Sequence, residues 1–460
     1  MLIETRLSIL EKENAELRQQ NSLLFEQVEQ LQSKVEQLLR LLEEKAVKKD
    51  SHNSHNPPSH DKGAPKRNQS RRKKSGKKSG GQKGHKGYTL EMREDPESIV
   101  ILQSDYCSKC GEDLGRVEQS MVSRRQVLEL PPIKLECIEY QQMGCSCPHC
   151  AHQQKADYPR NVAAPIQYGS SVISLIVYLN VFQYIPYNRL KDFFANVLNH
   201  SISEGTISNV LVKAASKAQF IYDEILEEIK RSIYVGGDET GVKVNGEKWW
   251  IWVWQNVKNT YLIASANRGF KTIETLFPEG LPNAIVGTDR WAAQLKTQTK
   301  GKQLCIAHLL RDLIYLIELE RGQWAQQFKT LLLKALKIRN DCDEKQTALV
   351  ASDQKAQDLE QQMDKLIIEY LNEKEYPKSL TFQKSMLKHR PYLFTFLYNL
   401  EVPPDNNGSE RAIRMAKVKL KISGMFKSGQ HVFCTLRSVC DTLRKRNLNM
   451  HSIMTQIVQT

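Results

Sequence analysis

Residues 232–267 read SIYVGGDETGVKVNGEKWWIWVWQNVKNTYLIASAN. The stretch contains three runs rich in β-branched and aromatic residues, separated by Asn245-Gly246 and by Lys258-Asn259. Such pairs are typical of tight hairpin turns, so the pattern predicts three antiparallel strands. Side chains alternate between the two faces of a strand, so the even-numbered tryptophans share one face. We expect most of these tryptophans to pack in the core, with stacking on nucleic-acid bases as the alternative.

A helix and a fourth strand follow these three strands. The helical run is GFKTIETLF, and the strand NAIVGTDRW is short, apolar and ends in an acid, Asp289. Three antiparallel strands, a helix and a further strand open a ribonuclease H-like fold. In that arrangement Asp238 lies on the first strand and Asp289 ends the fourth. We expect these two strands to be neighbours, which brings the two carboxylates together.

Paired carboxylates predict a metal site, because they repel each other unless a cation joins them. Oxygen ligands suit Mg²⁺ or Mn²⁺, and two such ions stabilise both the attacking and the leaving oxygen of a phosphoryl transfer. A third acid, Glu410, opens a basic helix in PPDNNGSERAIRMAKVKLKISG, residues 403–424. We expect Asp238, Asp289 and Glu410 to hold the ions. The cations after Glu410 would then meet the phosphate backbone: Arg411, Arg414, Lys417, Lys419 and Lys421.

Other residues near these acids compete for a role. Glu239 follows Asp238, but adjacent strand residues point to opposite faces, so only one of the two reaches the metal. Cys305 and His308 have a metal-like spacing on a predicted helix. We interpret them as a packed thiol and a hydrogen-bonded imidazole behind the site.

The N-terminus repeats in sevens. One seam is Ile3, Leu10, Leu17, Leu24, Leu31 and Leu38, and the other is Leu7, Asn14, Asn21, Val28, Val35 and Leu42. Leucine in one seam with asparagine or valine in the other is typical of a two-stranded parallel coiled coil. The pattern predicts a homodimer; a single amphipathic helix packed on its own core is the alternative.

The net charge is +14, which favours a polyanionic partner. Residues 62–88 contain many lysines and arginines and no acid, so we expect a disordered arm. The arm is either a solvated linker or a DNA contact, with Arg71, Arg72, Lys73 and Lys74 at its centre. No apolar run is long enough to span a bilayer, and the N-terminus lacks the apolar core of a signal peptide. We therefore expect a cytosolic protein.

Two C-x-x-C pairs predict a structural zinc site. They are CSKC and CPHC, with ligands Cys107, Cys110, Cys147 and Cys150. The stretches RQVLEL and KLECIEY between them alternate in polarity and predict the strands of a zinc ribbon. Cys137 and Cys145 lie nearby and compete as ligands, and redox dithiols are the alternative.

The flanking regions have helical patterns. Between residues 168 and 233 two short helices are predicted, the second with Ser201 and Glu204 as a capping box. They form either a helix-turn-helix or plain helical packing. Residues 315–395 read as an all-α insertion that covers one side of the acidic site and has a structural or protein-contact role.

Several blocks together resemble transposases of the insertion sequence 66 family: VGGDETGVKV, IVGTDRWA, CIAHLLRDL and PPDNNGSERAIRMAKVKLKISGMF. The heptads, GGQKGHKG and the cysteine pairs also match in order, so the resemblance covers nearly the whole chain. It implies a DDE-type bacterial DNA transposase with Asp238, Asp289 and Glu410 as its metal-binding triad. It also implies terminal inverted repeats as substrate and accessory proteins of the same element. Around His308 the family is more basic than LLRDL, so no role is carried over to His308 or Arg311.

These observations predict a multidomain α/β protein that cuts and joins DNA strands. A non-catalytic DNA-binding regulator with the same zipper and zinc ribbon is the alternative. The expected parts are a zipper (1–46), a basic arm (47–90), a zinc-binding domain (91–160), a helical region (161–230), the first part of a ribonuclease H-like core (231–314), the insertion (315–395) and the C-terminal core helices (396–460).

Overall fold

The computed structural model describes residues 2–54, 80, 84–87 and 89–459. Its internal contacts divide the chain into two units, residues 1–69, 142–190 and 203–460, and residues 70–141 and 191–202. The centre of the predicted basic arm, with Arg71, Arg72, Lys73 and Lys74, lies outside the described residues. Among those described, no helix combines the length and apolarity that crossing a membrane requires.

The N-terminal heptads form one helix, α1 (Leu2–Ala46). Its seam leucines at positions 10, 17, 24, 31 and 38 are each more than half exposed. The residues that the structure describes therefore leave this apolar stripe uncovered.

A small hairpin surrounds the second cysteine pair. Strands β1 (Gly144–Ser146) and β2 (Gln153–Lys155) run antiparallel. The ribbon strands predicted at 125–130 and 134–140 are wrong, because this part of the described chain forms no strand there. Val127 is 77% exposed and Ile138 69% exposed, so the alternation of polarity does not correspond to a buried face.

Between the small hairpin and the sheet, the chain forms four α-helices: α2 (Ser170–Val177, continued by a π-helical turn, Tyr178–Phe182), α3 (Tyr187–Val197), α4 (Glu204–Lys217) and α5 (Gln219–Lys230). Helix α4 begins at Glu204, and the hydroxyl of Ser203 accepts the Thr206 N–H at 3.0 Å. The predicted cap at Ser201 is therefore wrong by two positions, because the capping oxygen comes from the residue directly before the first turn.

The centre is a five-stranded sheet with the order β5-β4-β3-β6-β7. Its elements are β3 (Tyr234–Val244), β4 (Glu247–Gln255), β5 (Thr260–Ser265), α6 (Phe270–Leu276), β6 (Leu281–Thr288), α7 (Ala292–Lys296) and β7 (Thr299–Leu304). The first three strands are antiparallel, and β6 and β7 run parallel to β3. Asn245 and Gly246 have φ angles of 48° and 85°, as a two-residue hairpin turn between right-twisted strands requires.

One face of the sheet is filled by the predicted aromatic core. Trp252 and Trp254 are 0% and 1% exposed and stack on each other, and Trp254 meets Phe277 edge to face. The interpretation of these two tryptophans as core residues is confirmed.

A helical segment follows β7: α8 (Ile306–Glu320), α9 (Gln323–Lys345), α10 (Gln354–Ile368), α11 (Pro377–Lys388) and α12 (Thr395–Tyr398). Trp324, Phe328 and Phe382 form its aromatic core. The segment returns to the sheet where Gln303 accepts the Phe396 N–H and donates to the Leu393 carbonyl.

Three helices close the chain: α13 (Asn407–Ser423), α14 (Gln430–Lys445) and α15 (Met450–Gln459). Helix α13 packs on β3 and β4, and α14 packs on β5. On α14, the Ser438 hydroxyl accepts the Leu262 N–H at 2.8 Å, which ties the helix to the edge strand.

Candidate functional site

Asp238 and Asp289 lie side by side, just beyond the point where the parallel pairing of β3 with β6 ends. Strands β3 and β6 are parallel neighbours, and Gly236 is in register with Gly287. Each aspartate is two residues beyond its glycine, Asp238 within β3 and Asp289 directly after β6. The prediction that these two strands are neighbours in the sheet is confirmed. The chain then turns sharply, with a φ of 69° at Arg290.

Glu410 reaches the same place from the first turn of α13. The turn before the helix is fixed by Asn406, whose amide donates to the Gly237 carbonyl at 2.7 Å and lies 3.5 Å from Asp289 Oδ1. In the first turn of α13, the Ser409 hydroxyl accepts a hydrogen bond from the Gln255 amide at 3.4 Å. These contacts hold the first turn of α13, which carries Glu410, over Gly236 and Gly237 of β3.

Glycines make this approach of helix and strand possible. A Cβ on Gly236 would lie 2.6 Å from the Ser409 hydroxyl, and one on Gly408 would lie 2.5 Å from the Gln255 amide nitrogen. A methyl group at Gly236 would force Ser409, Gln255 and Asn406 to shift, and one at Gly408 would force Gln255 to shift. The glycines of VGGDE and NNGSE therefore lie at the same interface between β3 and α13. The sequence periods that predict strands and helices do not predict this contact.

The electrostatics of Asp238 show how closely the acids are grouped. Its pKa is raised well above the ordinary value of an aspartate, chiefly by burial and then by the charges of Asp289, Glu239 and Glu410. A carboxyl in these surroundings favours its neutral form until a positive charge arrives.

Glu239 faces away from this group. Its carboxylate accepts hydrogen bonds from the Arg268 guanidinium at 2.9 and 3.2 Å. The register places Glu239 opposite Trp252, on the face of the aromatic core, and Asp238 opposite Val253, on the other face. The alternation along β3 thus separates the two acids, as the sequence predicts.

His308 lies between two of the acids. On α8, its Nδ1 is 3.1 Å from Asp289 Oδ1, and its Nε2 is 3.7 Å from Glu410 Oε1. Arg311, one helical turn later, is 3.8 Å from the same Glu410 oxygen. His308 therefore belongs to the group itself. The sequence signal was the CIAHLLRDL block, but its spacing alone does not say that it faces Glu410.

The start of α8 is attached to the turn before α13. The Ile306 N–H donates to the Pro404 carbonyl at 2.9 Å, and the Asn406 N–H donates to Cys305 Sγ at 3.2 Å. Burial raises the pKa of the Cys305 thiol well above its usual range. The packing of Cys305 is as predicted from the sequence, whereas its protonated state and the hydrogen bond that it accepts follow from the structure.

The donor atoms suit a hard divalent cation. The three predicted ligands are all carboxylates, and ions such as Mg²⁺ prefer oxygen. Ligand atoms of Asp289, Cys305 and His308 also lie within 4.8 Å of one another. A protonated thiol is a poor ligand, which favours the carboxylates as the metal-holding set.

Most of the predicted DNA-contacting cations form an exposed stripe on α13. Arg411, Arg414, Lys417 and Lys421 are exposed at helical spacing. Lys419 differs: it is half-buried, and burial lowers its pKa. The stripe begins directly after Glu410, so a DNA strand bound along it would reach Glu410 and the two aspartates.

The two cysteine pairs have the same local geometry. In the first, the Cys107 carbonyl accepts the Gly111 N–H and the Cys107 N–H donates to Glu112, both at 2.8 Å. In the second, the Cys147 carbonyl accepts the Ala151 N–H and the Cys147 N–H donates to His152, both at 2.9 Å. Backbone N–H groups inside each turn lower the pKa of Cys107 and of Cys147. Each turn thus favours the thiolate that zinc requires.

Comparison with known proteins identifies three matching family models. One, described as the transposase IS66 family, matches residues 165–431. A second, described as the zinc-finger binding domain of transposase IS66, matches residues 104–151. A third, a family of unknown function (DUF6444), matches residues 5–91. No curated protein matches the chain.

Proposed function

This chain belongs to the transposase IS66 family, and we propose that it is a metal-dependent enzyme that cuts DNA at the ends of a bacterial insertion sequence and joins the freed ends to target DNA. The observation that carries the proposal is the approach of Asp238, Asp289 and Glu410 from a strand, a strand end and a helix. Each of the last two acids lies within 4 Å of His308.

The sheet supports a ribonuclease H-like core. Three antiparallel strands are followed by a strand that returns to pair in parallel with the first, and the helix α13 brings the third acid. We infer that residues 315–395, from the end of α8 to the start of α12, form the insertion and cover one side of the acids.

Asp238, Asp289 and Glu410 would hold two Mg²⁺ or Mn²⁺ ions. Bound there, the ions would neutralise charge on the attacking and leaving oxygens of the scissile phosphodiester. The raised pKa of Asp238 supports this assignment, because a bound cation would offset the burial and the neighbouring negative charges that favour the protonated carboxyl.

The other residues of the site orient these carboxylates and the DNA. Asn406 and Cys305 fix the turn before Glu410, while His308 and Arg311 offer Glu410 positive or hydrogen-bonding partners. The exposed cations of α13, joined by those of the arm, would bind phosphates without regard to sequence.

The remaining parts would assemble the complex. We infer that Cys107, Cys110, Cys147 and Cys150 bind one structural zinc ion, and that the exposed seam of α1 pairs with a second copy as a parallel coiled coil. A helix-turn-helix formed by α3 and α4, accessory proteins of the same element and a place on the bacterial nucleoid complete the proposal.

The test is strand cleavage and joining on a DNA that carries the inverted repeats flanking the gene. With Mg²⁺ the protein should cut at the repeat ends, and Asp238→Asn, Asp289→Asn or Glu410→Gln should lower the rate by about 10²–10³-fold or more. Glu401→Gln, an exposed carboxylate in the same segment, is the matched control and should cut normally. Tight DNA binding without metal-dependent cutting would instead identify a regulator.

A further inference from the structure

An arginine and two tryptophans are stacked beside the acids. The guanidinium carbon of Arg268 lies 3.8 Å from the ring centre of Trp291 and 4.5 Å from that of Trp250. Contacts of this length are cation–π interactions. Trp250, Arg268 and Trp291 are referred to below as the Trp-Arg-Trp cluster.

Glu239 holds the cluster in place. Its carboxylate pairs with Arg268 at 2.9 Å, and its second oxygen is 3.4 Å from the Gln294 amide. Glu239 is adjacent to Asp238, and Trp291 is two residues after Asp289. Burial raises the pKa of Glu239, and the charge of Asp289 raises it further. The cluster therefore lies near Asp289, on the sheet face opposite the Asp238 side chain and α13.

The cluster is not part of the core. The Arg268 side chain is 42% exposed and both indoles are half-buried, whereas Trp252 and Trp254 are fully buried. Gly241 is in register with Trp250 and, being a glycine, places no side chain against this indole. The indole N–H of Trp291 is buried and has no hydrogen-bond partner among the described residues.

Positive charge surrounds the aromatic surface. Besides Arg268, the Lys248 ammonium lies 5.1 Å from the ring centre of Trp250. Aromatic rings with adjacent cations are how proteins bind single-stranded nucleic acid, because the rings stack on bases and the cations meet phosphates. Glu239 and Arg268 neutralise each other, so within these contacts Lys248 supplies the cation for a phosphate.

We propose that the Trp-Arg-Trp cluster binds an unpaired nucleobase of the DNA strand that is cut at the acids. The inference rests on the proposed function, since it takes DNA as the ligand. Bases in a duplex are stacked and hidden, so a strand held at Asp238 and Asp289 presents a base to the cluster only where pairing is lost. The cluster thereby favours a locally opened DNA end over an intact duplex.

The test measures binding and needs no cutting. A single-stranded oligothymidylate with one 2-aminopurine is titrated with the full chain in Ca²⁺, and the same strand in a blunt duplex serves as the paired probe. Trp250→Ala and Trp291→Ala should each weaken single-strand binding by about tenfold, with duplex binding changed less than about twofold. Quenching of 2-aminopurine on binding should fall in both variants.

Two variants serve as controls. Trp249→Ala removes an indole from the same strand but the other face, where it contacts His431, and should bind like the natural protein. Trp291→Phe keeps an aromatic face and should retain quenching. If Trp291→Ala does not fold, Trp250→Ala and Trp291→Phe still test whether the cluster binds a base.

The outcomes separate this inference from the proposed function. Equal single-strand affinity in all variants, or equal loss for both probes, overturns the role of the cluster even when the protein cuts DNA. Cluster-dependent stacking in a protein that never cuts with Mg²⁺ supports the cluster and overturns the proposed activity.

Discussion

Gly236 and Ser409 are in such close contact that a single methyl group at Gly236 would lie 2.6 Å from the Ser409 hydroxyl. The two residues come from the strand that carries Asp238 and from the helix that carries Glu410. Their contact sets the distance between the first and third acids, so the backbone of β3 acts as the surface on which the site is assembled.

The first prediction concerns this contact. Gly236→Ala should lower cleavage by about 100-fold, because it displaces α13 and moves Glu410 from Asp238, and should cost about 1–3 kcal/mol of stability. Gly301→Ala, in β7 of the same sheet, meets only Ile285 at 3.6 Å and is the control. Cleavage rates and urea unfolding of both variants measure these effects. Equal cleavage by the two variants would show that the Gly236–Ser409 contact does not position Glu410.

The raised pKa of Asp238 gives a prediction about pH. Its folded-state pKa lies above the unfolded value, so the stability it contributes is complete below the unfolded pKa and is lost as the pH rises through the folded pKa. The metal-free protein should therefore lose stability as the pH rises from the unfolded to the folded pKa of Asp238, and Mg²⁺ should restore the lost stability. Melting curves across pH with and without Mg²⁺ measure this. In Asp238→Asn the Mg²⁺-dependent gain should be largely absent.

Arg339 on α9 is predicted to stabilise the chain segment that leads to Glu410. Its buried guanidinium donates to carbonyls of Phe396, Leu400 and Val402, shortly before the turn at Asn406. Arg339→Met leaves these carbonyls unpaired and should cost about 3 kcal/mol, measured by urea unfolding. Arg390→Met, which loses more exposed ion pairs with Glu360 and Asp364, should cost about 1 kcal/mol or less. Equal costs would show that the buried carbonyl contacts add nothing.

Zinc content tests the cysteine assignment. Cys107→Ser and Cys147→Ser should each abolish stoichiometric zinc, because each removes one thiolate of the proposed set of four. Cys137→Ser and Cys145→Ser alter the competing cysteines and should retain one zinc per chain. Metal analysis of purified proteins distinguishes the two groups, and zinc loss on altering Cys145 would move the assignment to that residue.

The basic stripe predicts a salt effect. Arg414→Gln should weaken DNA binding uniformly across sequences and reduce the salt slope by about one, since one phosphate contact is lost. Lys419→Gln is the contrast, because that side chain is half-buried and should leave the slope unchanged. Binding isotherms at several salt concentrations provide the measurement, and an unchanged slope for Arg414→Gln would remove it from the interface.

Local patterns carried much of this information. The Asn245-Gly246 turn, the separation of Asp238 from Glu239 and the buried face of Trp252 and Trp254 all follow from residues close together in the chain. Local patterns also misled where no core confirmed them, as in the missing strands at 125–130 and 134–140.

By itself, the sequence determined the strand order near Asp238, the heptads of α1 and the paired cysteine turns, because turns, side-chain alternation and helical periods are properties of short segments. Only the tertiary structure decided that His308 lies between Asp289 and Glu410, that Gly236 meets Ser409, and that Arg268 stacks on Trp250 and Trp291. The physical reason is that these contacts join distant segments whose approach depends on packing of the whole sheet and its helices, and no local period encodes that packing.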